Sequence, residues 1–132
     1  MSDRGSNLSI LLVTKEQAVF EMTKRLLADG QCEVREAKNS HEALVTILDN
    51  SIDVVILDAE ASGDIDVGLA PIIKRLRPKI SLILVLDNYS TAALEKVISC
   101  GIVYHAVKPV DDTELVEVVK AIRKKLYPRQ LQ

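Results

Sequence analysis

Short apolar runs alternating with helix-patterned stretches constrain this chain more than any other feature. Five runs rich in aliphatic and β-branched residues recur along it, at 8–13 (LSILLV), 32–37 (CEVREA), 54–57 (VVIL), 82–86 (LILVL) and 102–107 (IVYHAV). The first, third and fourth are apolar almost throughout, which is the pattern of strands covered on both faces. The second alternates, with Cys32 and Val34 on one side, and reads as an edge strand. Between the runs, apolar stripes at helical spacing predict helices over Glu16–Ala28, Ser40–Leu48, Val67–Leu76, Ser90–Ser99 and Asp112–Leu126. Pro71 is tolerable only in the first turn of the third helix, and Gly101 is a C-terminal stop for the fourth. In the last helix, Asp111 and Glu114 have the spacing of a capping box. Leu115, Val118, Val119, Ile122 and Leu126 share one face, and Pro128 ends the helix.

Parallel strands joined by helices require right-handed crossovers and helices on both sheet faces. The expected fold is therefore α/β: a flavodoxin-like (βα)5, doubly wound, parallel five-stranded sheet in the order 2-1-3-4-5. Ligands in such sheets bind beyond the carboxyl ends of the strands where the order reverses, between strands one and three. Here those ends are Thr14-Lys15-Glu16 and Asp58.

At 132 residues the chain makes one domain. Residues 1–7 are expected to be a disordered lead-in, 8–126 the folded unit, and 127–132 a tail or the start of a linker. With aromatics at only 3%, the core must be aliphatic. The net charge of −2 argues against direct nucleic-acid binding, and Arg123-Lys124-Lys125 reads as a solvated cap at the negative end of a helix. Cys32 and Cys100 lack metal or disulfide spacing and read as small core residues. No apolar segment approaches the roughly 20 residues of a membrane span. MSDRGSN has no apolar signal region, so a cytoplasmic location and no membrane partner are expected.

Four features in order along residues 8–126 carry a resemblance: ILLV followed by a turn, DVVILD ending in Asp58, LILVL ending in Asp87, and VKP at Val107–Pro109. Together they resemble a response-regulator receiver domain of two-component phosphorelays. The resemblance implies a switch rather than an enzyme. It makes Asp58 the phosphoacceptor, served by a histidine kinase or a phosphodonor, with Lys108 beside the phosphoryl group and Pro109 a candidate cis-proline. Output would pass to an output domain or a second copy through residues 90–126. An acidic nucleophile with fixed positive charge near the transferring oxygens suits such chemistry.

The chain also departs from the family. Thr14 and Lys15 replace the acid pair that holds magnesium, a hard ion bound through carboxylates and waters. Asp87 replaces a small hydroxyl residue, and His105 replaces an aromatic on the last strand, with Tyr104 adjacent. Lys15, Asp58, Asp87 and Lys108 balance to zero charge without a metal, so a four-membered, metal-free cluster is expected. That makes the chain an atypical receiver with no cofactor, acting through protein contacts. Three alternatives stand beside this reading. One is conventional phosphorylation at Asp58, and another is an unorthodox magnesium site built from Asp58, Glu16 and Glu60. The third is a flavodoxin-like cofactor binder, which is disfavoured because TKEQ has no glycine to let backbone N–H groups cradle a phosphate.

Overall fold

A computed structural model describes residues 7–28, 30–60, 63–87 and 91–128. Strands β1 (Leu8–Val13), β2 (Cys32–Ala37), β3 (Val54–Ala59), β4 (Ser81–Leu86) and β5 (Ile102–Val107) alternate with helices. These are α1 (Gln17–Leu26), α2 (Ser40–Asp49), α3 (Leu69–Leu76), α4 (Thr91–Ile98) and α5 (Asp112–Leu126). The strands form one sheet in the order β2-β1-β3-β4-β5, and every neighbouring pair is parallel. The expected topology is therefore present. The lead-in expected at 1–7, the tail at 127–132 and the helix start at Ser90 fall wholly or partly outside the described residues.

Alternation along the central strands sends side chains into two aliphatic layers. Leu11, Val13, Val55, Leu57, Leu82 and Leu84 pack with Ala43, Ile47, Ile73 and Val97 on the α2–α4 side. Leu8, Ile10, Leu12, Val54, Ile56 and Val85 pack with Phe20, Leu115 and Val119 on the α1–α5 side. Each fully buried aliphatic side chain contributes about 1.5–3 kcal/mol. This burial on both faces is why β1, β3 and β4 carry so few polar residues.

The element ends have local causes. β3 runs two residues past the apolar run, because Asp58 and Ala59 continue the ladder opposite Val85 and Leu86. α1 begins at Gln17 rather than Glu16, whose backbone N–H donates to Thr14 Oγ1 at 3.1 Å. α2 is capped by Asn39, whose Oδ1 accepts from Glu42 N at 2.8 Å. α3 starts at Leu69, not Val67, because Asp66 Oδ1 accepts from Gly68 N and holds 66–68 in a turn. Pro71 lies in the first turn, where its missing N–H removes no helix bond.

α5 corrects the predicted face. Leu126 is exposed, and Arg123, expected as a solvated cap, is buried at 5% exposure in line with Leu115 and Val119. The capping box is also half formed. Asp111 Oδ1 accepts from Glu114 N, while the Glu114 carboxylate turns to Tyr104.

The loop after β3 is tied down from within. Ile65 is fully buried, its carbonyl accepts from Glu60 N at 2.7 Å, and Asp64 takes both Ser40 N and Ser40 Oγ at the start of α2. Those two bonds from Ser40 hold the Asp64 carboxyl below the usual carboxylate range.

Candidate functional site

Four strands deliver one residue each to the carboxyl rim of the sheet. Asp58 is the penultimate residue of β3, while Thr14, Asp87 and Lys108 each lie one residue past β1, β4 and β5. Asp58 is 6% exposed and Thr14 fully buried. A carboxylate in such a place needs donors for its oxygens, and both are supplied. Thr14 Oγ1 donates to Asp58 Oδ2 at 2.7 Å, and Lys108 Nζ pairs with Asp58 Oδ1 at 2.8 Å. β5 is not next to β3, so the lysine must reach across the end of β4. There it also meets Asp87 Oδ1 at 3.3 Å. The Lys108 backbone is fixed by its N–H donating to Leu86 O at 2.8 Å, and the Lys108–Pro109 peptide bond is cis.

Partial burial pulls the Lys108 ammonium toward a lower pKa. The hydrogen bond and charge of Asp58, then those of Asp87, outweigh that pull and leave it above the usual lysine value. The ammonium is therefore held charged between two carboxylates. Beside this cluster a cavity of about 570 Å³ opens between α1 and the start of α5, lined by Asp58 and Lys108 with Met22, Leu26, Val110 and Leu115.

Lys15 does not join the cluster. It is exposed, and its Nζ donates to Lys38 O at 3.4 Å, on the β2 side of the rim. The chain turns outward after the buried Thr14, so sequence adjacency does not carry the ammonium to Asp58. The cluster is thus three-membered, with a formal charge of −1. Glu16 and Glu60 are not drawn to Asp58 either. Glu16 is exposed at the start of α1, and Glu60 Oε1 accepts from Ile65 N within its own loop. Among the described residues no group of three or more His, Cys, Asp or Glu could hold a metal ion, so the unorthodox trio is not assembled.

On β5, His105 is half-buried and lies opposite Leu84, while Tyr104 turns toward α5. The Tyr104 hydroxyl donates to Glu114 Oε1. That bond first, then burial and the charges of Glu114 and Asp111, push the phenol up to about 12. A register shift between Leu82 and Ile83 against β5 accompanies this placement. Sequence reasoning placed Thr14 at this rim without its bonding role, and read Glu114 only as part of a capping box. The Thr14 hydroxyl is a donor to Asp58, not merely the remnant of a lost acid, and Glu114 is the partner of Tyr104.

A family model described as the response regulator receiver domain matches residues 10–120. This chain belongs to that family. The receiver is 25% identical over 121 residues to the sensory transduction protein LytT of Bacillus subtilis (strain 168), covering 89% of this chain and 48% of LytT. Over 58 residues it is 34% identical to the transcriptional regulatory protein YvrH of the same organism, covering 43% of this chain and 24% of YvrH. The match therefore spans less than half the length of either relative. Among solved structures, a CheY-like receiver domain protein from Methanospirillum hungatei JF-1 superposes with a TM-score of 0.84 at 24% identity, covering 94% of this chain and 99% of that one. A response regulator from Thermotoga maritima gives 0.78 at 23% identity, with 89% and 98% covered. At these identities the likeness speaks for the fold, and the receiver assignment rests on the family match. No described helix is long and apolar enough to cross a membrane.

Proposed function

We propose that this receiver domain, residues 8–126, acts as an atypical member of its family. In this reading it transmits through protein contacts, with weak or no magnesium-dependent phosphorylation at Asp58. The observation that carries the reading is the Thr14–Asp58 hydrogen bond at 2.7 Å. It occupies one carboxylate oxygen while Lys108 occupies the other at 2.8 Å, so the nucleophile rests with both oxygens engaged. A magnesium ion takes near-octahedral oxygen ligands, several of them water. One buried carboxylate, a threonine hydroxyl and an ammonium do not fit that demand. Asp87 beside Lys108 adds negative charge where an incoming phosphoryl group would also be negative.

The second reading is a conventional receiver, phosphorylated on Asp58 by a histidine kinase or a small phosphodonor. The Asp58–Lys108 pair favours it, being the nucleophile and cation that phosphoryl acceptance requires. Output in either case is assigned to the face made by α4, β5 and α5, where Ile98 of α4 and Val103 of β5 are exposed. Its partner would be an output domain or a second copy, and the setting a reducing cytoplasm in which Cys32 and Cys100 stay as thiols. Incubation with acetyl phosphate and magnesium, followed by intact mass measurement, separates the two. The atypical reading expects no Asp58-dependent gain of a phosphoryl group in wild type, and a gain in a Thr14→Asp/Lys15→Asp double variant. Ready labelling of wild type that disappears in Asp58→Ala establishes the conventional reading instead.

A further inference from the structure

At the opposite rim of the sheet lies a buried cation with no counter-ion among the described residues. Arg123, in the last turn of α5, is 5% exposed, and its Nε and Nη2 have no hydrogen-bond partner among the described residues. Among the described residues no acid pairs with it. A guanidinium cannot shed its proton at any working pH. Burying that charge uncompensated is strongly disfavoured, so the site is one that seeks an anion. Arg123 lines a cavity of about 160 Å³ enclosed by Leu26 and Leu27 of α1, Val116 and Val119 of α5, and Cys32 at the start of β2, with Lys120 also on the lining. This cavity shares only Leu26 with the one beside Asp58.

The ligand chemistry follows from which atoms are unpaired. Nε and Nη2 form one side of the guanidinium fork, and their two N–H groups point in parallel, as a carboxylate requires for a bidentate bond. The walls of Leu26, Leu27, Val116 and Val119 select against a doubly charged, fully oxygenated anion, whose remaining oxygens would find donors only on the Lys120 side. At about 30 Å³ per water in the liquid, the volume corresponds to about five waters, or an aliphatic acid of about six non-hydrogen atoms. We propose that the Arg123 cavity binds a short-chain aliphatic monocarboxylate, its carboxylate on Nε and Nη2 and its tail against Leu27, Val116 and Val119. This site does not depend on how Asp58 is used.

The test is a titration of the whole chain with butyrate, inorganic phosphate and butylammonium, followed by amide chemical shifts and calorimetry. Butyrate is expected to shift Leu27, Val116 and Val119 saturably and to raise the melting temperature, with phosphate weaker and butylammonium inert. Arg123→Met, which keeps the stem, is expected to weaken butyrate about ten- to a hundredfold, as loss of a charged hydrogen-bonding partner does. Val119→Phe, which fills the cavity while retaining the guanidinium, is expected to abolish binding. Absence of saturable shifts in the folded wild type overturns the proposal, and so does phosphate binding as tightly as butyrate. Asp29 lies between Leu27 and Cys32 in sequence and supplies the internal control. If Asp29→Asn destabilises wild type but not Arg123→Met, the guanidinium is neutralised from within and the site is not a ligand site.

Discussion

A single lysine held between two carboxylates sets the chemistry of the rim. Removing it by Lys108→Met leaves the nearly buried Asp58 with Thr14 as its remaining described donor. An under-satisfied buried carboxylate costs about 1–3 kcal/mol, to be read from urea unfolding at neutral pH. Adding Asp58→Asn to Lys108→Met should recover part of that loss, because the stranded charge is gone. Tyr104 gives a separate expectation at high pH. In the folded chain its phenol ionises at about 12, against 10 when unperturbed. Between those values the unfolded chain releases a proton that the folded chain keeps, so stability falls as pH rises through pH 10 to 12. Lys108 and Tyr127, also raised, act in the same direction. In Tyr104→Phe the alkaline fall should be shallower, as followed by denaturant midpoints across that range.

Asp58, Lys108 and Asp87 could be found from sequence because strand ends fix them, and a parallel sheet gathers strand ends at one rim. Lys15 could not be placed the same way. It lies two residues beyond the end of β1, one further than Asp87 and Lys108 lie from their strands, and there the chain direction, not strand alternation, decides where a long side chain goes. Arg123 was hidden by its neighbours: in a run of three basic residues the solvated cap is the natural reading. Its spacing of four from Val119 and eight from Leu115 carried the opposite signal.

At the level of elements, the strands and helices were legible because aliphatic periodicity is strong, while the starts of α1 and α3 moved where a side chain competed for a backbone group. The loop after β3 was least legible. Asp64 holds the start of α2, and Ile65, flanked by Asp64 and Asp66, is wholly buried. Ile65→Ala should therefore behave as a core substitution and cost about 2–4 kcal/mol, whereas a solvated loop residue would change stability by less than about 0.5 kcal/mol. Asn39→Ala, which deletes the α2 cap, should cost about 1 kcal/mol. Chemical denaturation with an unchanged slope checks both.

Across the whole molecule, the two aliphatic layers meet on β1, β3 and β4, while β2 and β5 form the edges. Native-state hydrogen exchange should then show the highest protection at Val55, Ile56 and Leu57, with amides of β2 and β5 opening at lower free energy. Equal protection across all five strands would contradict this layering. The β2 edge has one more consequence. Glu33 and Arg35 stand exposed along it, 3.8 Å apart at their nearest charged atoms. A foreign strand laid alongside would have to dehydrate both charges before gaining a ladder bond. The sheet thus resists growing by side-to-side fusion on that flank, and crowded solutions of this protein should stay clear of fibrils that begin there.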